Sequence, residues 1–117
     1  MKKIYYLSTC DTCKRIIEEL NLPSDFIFQD IKKESITKEQ IEEMKALAES
    51  YESLFSKRAR LYKERNLKNK ELSEDDYKEL ISEHYTFLKR PVIIIGDSIF
   101  IGNSKKVVES AKQAVHG

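Results

Sequence analysis

Cys10 and Cys13 are the only cysteines of the chain, and two residues separate them in the stretch STCDTCK. A thiol pair at this spacing is compatible with a metal half-site, a disulfide or a reactive thiol with a second thiol beside it. A zinc site needs about four ligands, and the only histidines, His84 and His116, lie on unrelated segments. We therefore expect no bound metal or cofactor.

The two cysteines lie between a predicted strand and a predicted helix. Residues 3–7, KIYYL, form a short apolar run rich in aromatic residues, and apolar residues then recur at helical spacing up to Leu20. A thiol at a helix N-terminus lies near unpaired backbone N–H groups and the positive end of the helix dipole, which favour the nucleophilic thiolate. We expect Cys10 to be the nucleophile, and Cys13 to resolve a mixed disulfide. The alternative is that Cys13 is only a small buried residue on the inner face of the helix.

Two arginine motifs could bind an anion, because a planar guanidinium suits an oxyanion. Arg90 precedes Pro91 in LKRPV, and X–Pro bonds are the only ones with an appreciable cis population. Arg58 lies in SKRAR, and nothing in the spacing alone distinguishes it from its basic neighbours. The structural alternatives are a strand-opening proline beside a solvated arginine, and a solvated charged turn. Solvation is the expectation for the other basic residues of the segment: Lys57, Arg60, Lys63 and Arg65.

The elements that must position these residues follow the order β-α-β, a helical block, then β-β-α. DFIFQDI at 25–31 reads as the second strand, and two apolar runs around residues 96–98 predict a hairpin. Thr37 and Gln40 have capping-box spacing, and Ser73 resembles a second helix N-cap. A further helix is predicted to start near Ser104. An apolar stripe from the Thr37 helix is expected to continue through Ile41, Met44, Ala48, Tyr51 and Phe55.

This order predicts an α/β thioredoxin-like fold with a mixed sheet. The β-α-β unit is parallel with a right-handed crossover, and the hairpin adds antiparallel strands to the same sheet. In such a fold a cis-proline before the third strand packs opposite the reactive cysteine, which would bring Arg90 close to Cys10. We predict one domain over residues 1–117, with a helical insertion at about 35–86.

Composition narrows the function classes. The 117 residues carry 21 basic and 20 acidic side chains, a net charge of +1, which argues against direct bulk binding to nucleic acid or an anionic membrane. No stretch approaches the roughly 20 apolar residues of a membrane helix, and the apolar run after the basic start is too short for a signal peptide. We therefore expect a cytoplasmic protein, where thiols are kept reduced.

The pieces together resemble the ArsC/Spx/YffB family: a cysteine at the first strand–helix junction, a helical insertion, an S-x-R turn and RP before a hairpin. In its glutaredoxin-coupled arsenate reductases, a cysteine attacks arsenate, arginines hold the oxyanion, glutathione displaces the adduct and glutaredoxin regenerates the thiol. The resemblance implies that Cys10 is the nucleophile and that Arg58 and Arg90 bind substrate beside Pro91. It also implies glutathione with glutaredoxin, or thioredoxin, as electron donor.

The chain also departs from the strongest arsenate reductases of that family. IGNS around Gly102 stands where they carry a third arginine, and LSTC replaces their His-Asn-Pro-x-Cys lead-in. The cysteine pair instead resembles that of Spx, a redox-sensing regulator that binds the α subunit of RNA polymerase, although Ser50 stands where Spx proteins carry a glycine. YffB-like members, which have one cysteine and a glutathione-linked role, share CDT. A reductase is our main expectation, and the alternatives are a redox-gated binding protein of Spx type and a YffB-like glutathione-linked protein.

Overall fold

A computed structural model describes all 117 residues of the chain. Its contacts divide the chain into two compact units. We call Met1–Ser35 with Arg90–Gly117 the sheet unit, and Ile36–Lys89 the helical unit. The organisation as one domain with an insertion at about 35–86 stays a prediction. No helix has the length and apolar character needed to cross a membrane.

The sheet unit confirms the predicted topology. It contains β1 (Lys2–Tyr6), α1 (Asp11–Leu20), β2 (Ile27–Asp30), β3 (Val92–Ile95), β4 (Ser98–Ile101) and α5 (Lys105–His116). The strand order is β2-β1-β3-β4, with β1 parallel to β2 and antiparallel to β3, and β3 antiparallel to β4. The fold is thioredoxin-like, as the order of elements predicted.

One face of this sheet is covered by α1 and α5, which contact each other. A cluster of buried apolar side chains joins the two helices to the strands: Ile4, Ile16, Leu20, Phe26, Ile93, Val108 and Ala111. Helix α1 ends because Asn21 adopts the left-handed conformation at φ 48° and Pro23 follows. Because α1 begins only a short loop after the end of β1, Cys10 and Cys13 lie near the end of the sheet at which β1 ends.

The helical unit contains α2 (Lys38–Ala48), α3 (Arg60–Glu64) and α4 (Glu74–Glu83), with 3₁₀ turns at Glu52–Leu54, Leu67–Asn69 and Tyr85–Phe87. Both predicted N-caps are present as full capping boxes. Thr37 accepts from the Gln40 N–H while the Gln40 side chain accepts from the Thr37 N–H. Ser73 and Asp76 make the same reciprocal pair at α4. These local signals are sufficient to start both helices.

The expectation that the stripe from Ile41 continues as a helix to Phe55 is wrong. Helix α2 ends at Ala48 because Glu49 adopts a left-handed conformation at φ 75°. Serine side chains then take over the backbone hydrogen bonds: the Ser53 hydroxyl donates to Ala48, and the Ser53 N–H donates to the Ser50 hydroxyl. Such local side-chain bonds compete with helix propagation.

Phe55 lies instead at the centre of the helical unit. Its backbone forms a β-bridge with Leu88. Its ring stacks on Phe87 with centroids 5.3 Å apart and lies 4.8 Å from the Tyr77 ring and 5.9 Å from that of Tyr62. The apolar residues that follow α2 thus form an aromatic core rather than an extended helix face.

Candidate functional site

Cys10 is the N-cap residue of α1. Its φ of −97° and ψ of 112° are extended, and its side chain accepts no capping hydrogen bond. Its N–H donates to the Leu7 carbonyl at 3.0 Å, closing a turn, and its carbonyl accepts from Lys14 at 3.1 Å as the first bond of the helix. The thiol is partly exposed and free. A reactive group at this position lies beside the unpaired N–H groups of the first helical turn.

Cys13 is a free thiol with a different environment: its residue has 0% exposure. Burial raises the pKa of the Cys13 thiol to about 11, supported by its hydrogen bond to Cys10 and the charge of that neighbour. Hydrogen bonding with the Leu7 backbone and the Arg90 charge oppose the rise. Cys13 is therefore a protonated hydrogen-bond donor at neutral pH, and the two sulfur atoms are close enough to interact.

Arg90 and Pro91 lie at the same end of the sheet as the cysteines. Val92 pairs with Tyr5 in the antiparallel β1–β3 ladder, so the residues before Val92 lie beside the residues that follow β1. The Arg90–Pro91 peptide bond is cis, and the Pro91 carbonyl accepts from the Gly102 N–H at 2.9 Å. The Arg90 charge acts on the Cys13 thiol, and Arg90 makes no ion pair with a carboxylate. The sheet unit thus brings together Cys10, Cys13, Arg90 and Pro91.

Arg58 lies in the helical unit, where three of its basic neighbours are paired. Lys57 contacts Glu52 at 2.9 Å, Arg60 contacts Glu64 at 3.5 Å, and Arg65 contacts Glu83 at 2.6 Å. Arg58 is exposed and makes no ion pair. The structure therefore distinguishes Arg58 from most of its neighbours as a cation without a carboxylate partner, which the spacing alone did not do.

Sequence reasoning missed Asp30, the last residue of β2. Its Oδ1 accepts from the Ser8 N–H at 3.3 Å and the Lys32 N–H at 3.2 Å, while Oδ2 is buried without a hydrogen-bond partner. Burial disfavours its charged form, yet the Ser8 hydroxyl, these two N–H groups and the charge of Lys33 hold the pKa of this carboxyl below its ordinary value. The position of an acidic residue at the end of a strand beside the cysteine loop was the available signal.

The site in the sheet unit offers two thiols and one arginine, Arg90, and no set of metal ligands. The structure contains no group of three or more His, Cys, Asp or Glu side chains that could hold a metal ion. This arrangement suits attack by the thiolate of the accessible Cys10, followed by a second thiol reaction of the buried Cys13.

The profile of the ArsC family matches residues 5–111. This chain belongs to the ArsC family. An arsenate reductase of Haemophilus influenzae is 42% identical over 48 residues, which cover 41% of this chain and 41% of the relative. The match thus spans less than half the length of that relative. Among solved structures, a YffB protein superposes with a TM-score of 0.78 at 19% identity, covering 98% of this chain and 99% of its own. An ArsC family related protein from Bacteroides fragilis gives 0.74 at 20% identity, covering 94% and 97%.

ArsC membership confirms the predicted family, and these structural neighbours agree with the thioredoxin-like fold. Both superpositions extend over more than nine-tenths of this chain. At identities of about one-fifth they establish the fold and carry no residue roles. The assignments of Cys10, Cys13, Arg58, Arg90 and Pro91 therefore stay predictions.

Proposed function

We propose that this ArsC-family protein is a thiol-dependent reductase of arsenate reductase type. In this proposal Cys10 attacks an oxyanion or a thiol-conjugate substrate whose negative charge is bound by Arg58 and Arg90. Glutathione with glutaredoxin, or thioredoxin, supplies the electrons. Family membership over residues 5–111 and the arsenate reductase of Haemophilus influenzae support the reaction class.

The observation that carries the proposal is the difference between the two thiols. Cys10 is partly exposed at the N-terminus of α1, whereas Cys13 is fully buried and hydrogen-bonds to it. An attacking thiol must reach its substrate, and a resolving thiol must reach the sulfur of the attacking thiol. A pair of two exposed or two buried cysteines would not support this division of roles.

The chemistry balances with two thiols. For arsenate, the Cys10 thiolate forms a sulfur–arsenic bond as an arsenate oxygen leaves as water. A second thiol, from glutathione or Cys13, then attacks the Cys10 sulfur. The sulfur–arsenic bond breaks with its electron pair remaining on arsenic, so As(V) becomes As(III) and the two thiols become a disulfide. The external donor reduces that disulfide and restores Cys10.

The environment of Cys13 suits a thiol that acts second. Two causes of its raised pKa are the hydrogen bond and the charge of Cys10. While Cys10 is free, burial and these two causes keep Cys13 protonated, against the Arg90 charge, which favours its thiolate. Cys13 therefore does not compete with Cys10 for substrate, and it lies close enough to the Cys10 sulfur to attack it once the adduct has formed.

The test is stopped-flow turnover of arsenate with glutathione and glutaredoxin, and separately with thioredoxin. Cys10→Ser should abolish turnover with both donors. Cys13→Ser should retain turnover with glutathione and glutaredoxin and lose the thioredoxin-supported reaction. Wild-type protein with a reactive Cys10 but no turnover with either donor would contradict the reductase assignment.

The proximity of the two cysteines favours a second candidate, a redox-gated binding protein of Spx type. In this case formation of a Cys10–Cys13 disulfide would change affinity for the α subunit of RNA polymerase, with no substrate turned over. Oxidised and reduced protein would then be retained differently on immobilised α subunit. Equal and negligible retention of both forms would remove this candidate.

A further inference from the structure

The β1–α1 loop that carries Cys10 has few fixed points. Beyond Tyr6 the chain leaves the sheet, and the last ladder contact is the Ile31 N–H donating to the Tyr6 carbonyl at 2.9 Å. Within the loop, the Cys10 N–H bonds to Leu7, which is a local contact. The Ser8 N–H donates to the side chain of Asp30, 22 residues away. That bond ties the loop to the end of the neighbouring strand.

Asp30 is well held to serve as this anchor. Tyr6 and Asp30 are partners in the parallel β1–β2 ladder, so the backbone of Asp30 is fixed beside the end of β1. Its carbonyl accepts from Lys33 and Glu34, and its Oδ1 also accepts from the Lys32 N–H. The carboxylate thus stabilises its own turn and the cysteine loop through one oxygen atom.

We propose that Asp30 is a positioning residue for Cys10, because its carboxylate oxygen holds the Ser8 N–H and so fixes the loop that sets the Cys10 thiol over the first turn of α1. This inference rests on the proposed function in one respect: it assumes that Cys10 is the reacting thiol. Asp30 does not touch substrate in this proposal. Its contribution is the placement of the sulfur relative to the helix N–H groups, on which thiolate reactivity depends.

Positioning and charge make opposite predictions for Asp30. If only the negative charge mattered, both Asp30→Asn and Asp30→Ala would leave thiolate formation unchanged or favour it, since a nearby anion is removed. If the acceptor matters, Asp30→Asn keeps an oxygen for the Ser8 N–H, and Asp30→Ala loses it. Ser8→Pro removes the same N–H from the donor side together with the Ser8 hydroxyl that also acts on Asp30, and the second position of a turn accepts proline.

The experiment measures alkylation of Cys10 by iodoacetamide at neutral pH, with the modified residue mapped by mass spectrometry. We expect Asp30→Ala and Ser8→Pro each to slow alkylation about tenfold, Asp30→Asn to react at the wild-type rate, and the Asp30→Ala/Ser8→Pro double variant to be no slower than either single one. Asp25→Ala is the matched control, because Asp25 pairs only with exposed Lys2 at 3.0 Å. It should react like wild type.

Two outcomes would overturn the inference: an Asp30→Ala rate equal to or above the wild-type rate, or an Asp30→Asn rate as low as that of Asp30→Ala. If Asp30→Ala does not fold, Asp30→Asn and Ser8→Pro still decide it. The proposed function fails separately. It fails if wild-type Cys10 reacts no faster than a peptide thiol, whereas a reactive wild-type Cys10 that is insensitive to Asp30 and Ser8 contradicts the positioning role alone.

Discussion

The sheet unit and the helical unit use charge in different ways. Five of the six ion pairs lie within the helical unit, and the sheet unit has one, between Lys2 and Asp25. Near the cysteines, Arg90 has no carboxylate partner and its charge acts on a thiol. In the helical unit, Arg58 is left without a carboxylate while three basic neighbours are paired. The comparison indicates that the helical unit pairs a larger share of its charges internally than the sheet unit does, and that the sheet unit leaves Arg90 unpaired near two thiols.

The two units are also stabilised by different kinds of contact. The sheet unit depends on strand pairing and on one mainly aliphatic core between the sheet and two helices. The helical unit depends on capping boxes, exposed ion pairs and a cluster of aromatic rings around Phe55. Because exposed ion pairs contribute about 0–1 kcal/mol each, the aromatic cluster should supply most of the stability of the helical unit.

Removal of the Phe55 ring should have the largest effect on stability, and the effect should be concentrated in the helical unit. Phe55 is 1% exposed, so Phe55→Ala should lower the free energy of unfolding by about 3–5 kcal/mol. Amide hydrogen exchange should rise more in residues 36–89 than in the sheet. Ile4→Ala, in the core of the sheet unit, should give the converse pattern.

The matched control for Phe55 is Phe28→Ala, which removes an aromatic ring that is 45% exposed and has one ring contact, edge-on with Tyr6 at a centroid distance of 6.0 Å. Its cost should stay below about 1.5 kcal/mol. If Phe55→Ala and Ile4→Ala raise exchange equally in both units, the two units unfold together and the distinction between their sources of order is lost.

The next effect is the alkaline sensitivity conferred by Cys13. Its pKa is raised from 9.0 to about 11 on folding, so between these values the folded state holds a proton that the unfolded state has released. The free energy of unfolding must then fall as pH rises through this window. A shift of this size corresponds to a loss of up to about 3 kcal/mol by pH 11.

Urea titrations at pH 8 and pH 11 measure this effect, with Cys13→Ala as the control that lacks the thiol. Tyrosines and lysines also titrate in this range, and they contribute to both proteins. The free energy of unfolding of wild type minus that of Cys13→Ala should therefore decrease as the pH rises from 8 to 11. A difference that stays constant between pH 8 and pH 11 would contradict a buried, protonated Cys13.

The parts of the molecule that sequence predicted well are those determined by neighbouring residues. Thr37 with Gln40 defines a cap within four positions, and the apolar periodicity after Cys10 defines one helix face. The thioredoxin-like order of elements follows from such local signals combined with the handedness of β-α-β units.

The parts that sequence did not predict depend on partners far away in the chain, or on backbone conformations that the residue type rarely adopts. The bond from Ser8 to Asp30 joins positions 22 residues apart, and the pairing of Arg65 with Glu83 joins positions 18 apart. Glu49 ends α2 in a left-handed conformation that glutamate rarely adopts. Whether an arginine is free or paired, as Arg58 and Arg60 differ, is decided by which carboxylates the fold brings near.

The difference between unpaired Arg58 and paired Arg60 provides a test of the proposed contact between Arg58 and an oxyanion substrate. Arg58→Ala should weaken oxyanion affinity roughly 10–100-fold, since a charge-assisted contact contributes about 1.5–3 kcal/mol. Arg60→Ala removes the same charge two positions away, where the side chain only pairs with exposed Glu64, and should change affinity less than about twofold. Equal losses in both variants would mean that general positive charge attracts the anion and that Arg58 makes no specific contact.

The smallest expected effect concerns Glu74, which joins two parts of the helical unit. Its two carboxylate oxygens accept from the Tyr51 N–H at 2.7 Å and the Glu52 N–H at 3.1 Å. Glu74→Ala should cost about 1–2 kcal/mol in urea unfolding, as loss of a capping side chain does. Asp75→Ala, also in the first turn of α4, loses only its interaction with the helix dipole and should cost less than about 1 kcal/mol. Equal losses of unfolding free energy in the two variants would show that the dipole of α4, rather than the bonds to the Tyr51 and Glu52 N–H groups, accounts for the stabilisation. The ordering of that turn would then not depend on Glu74.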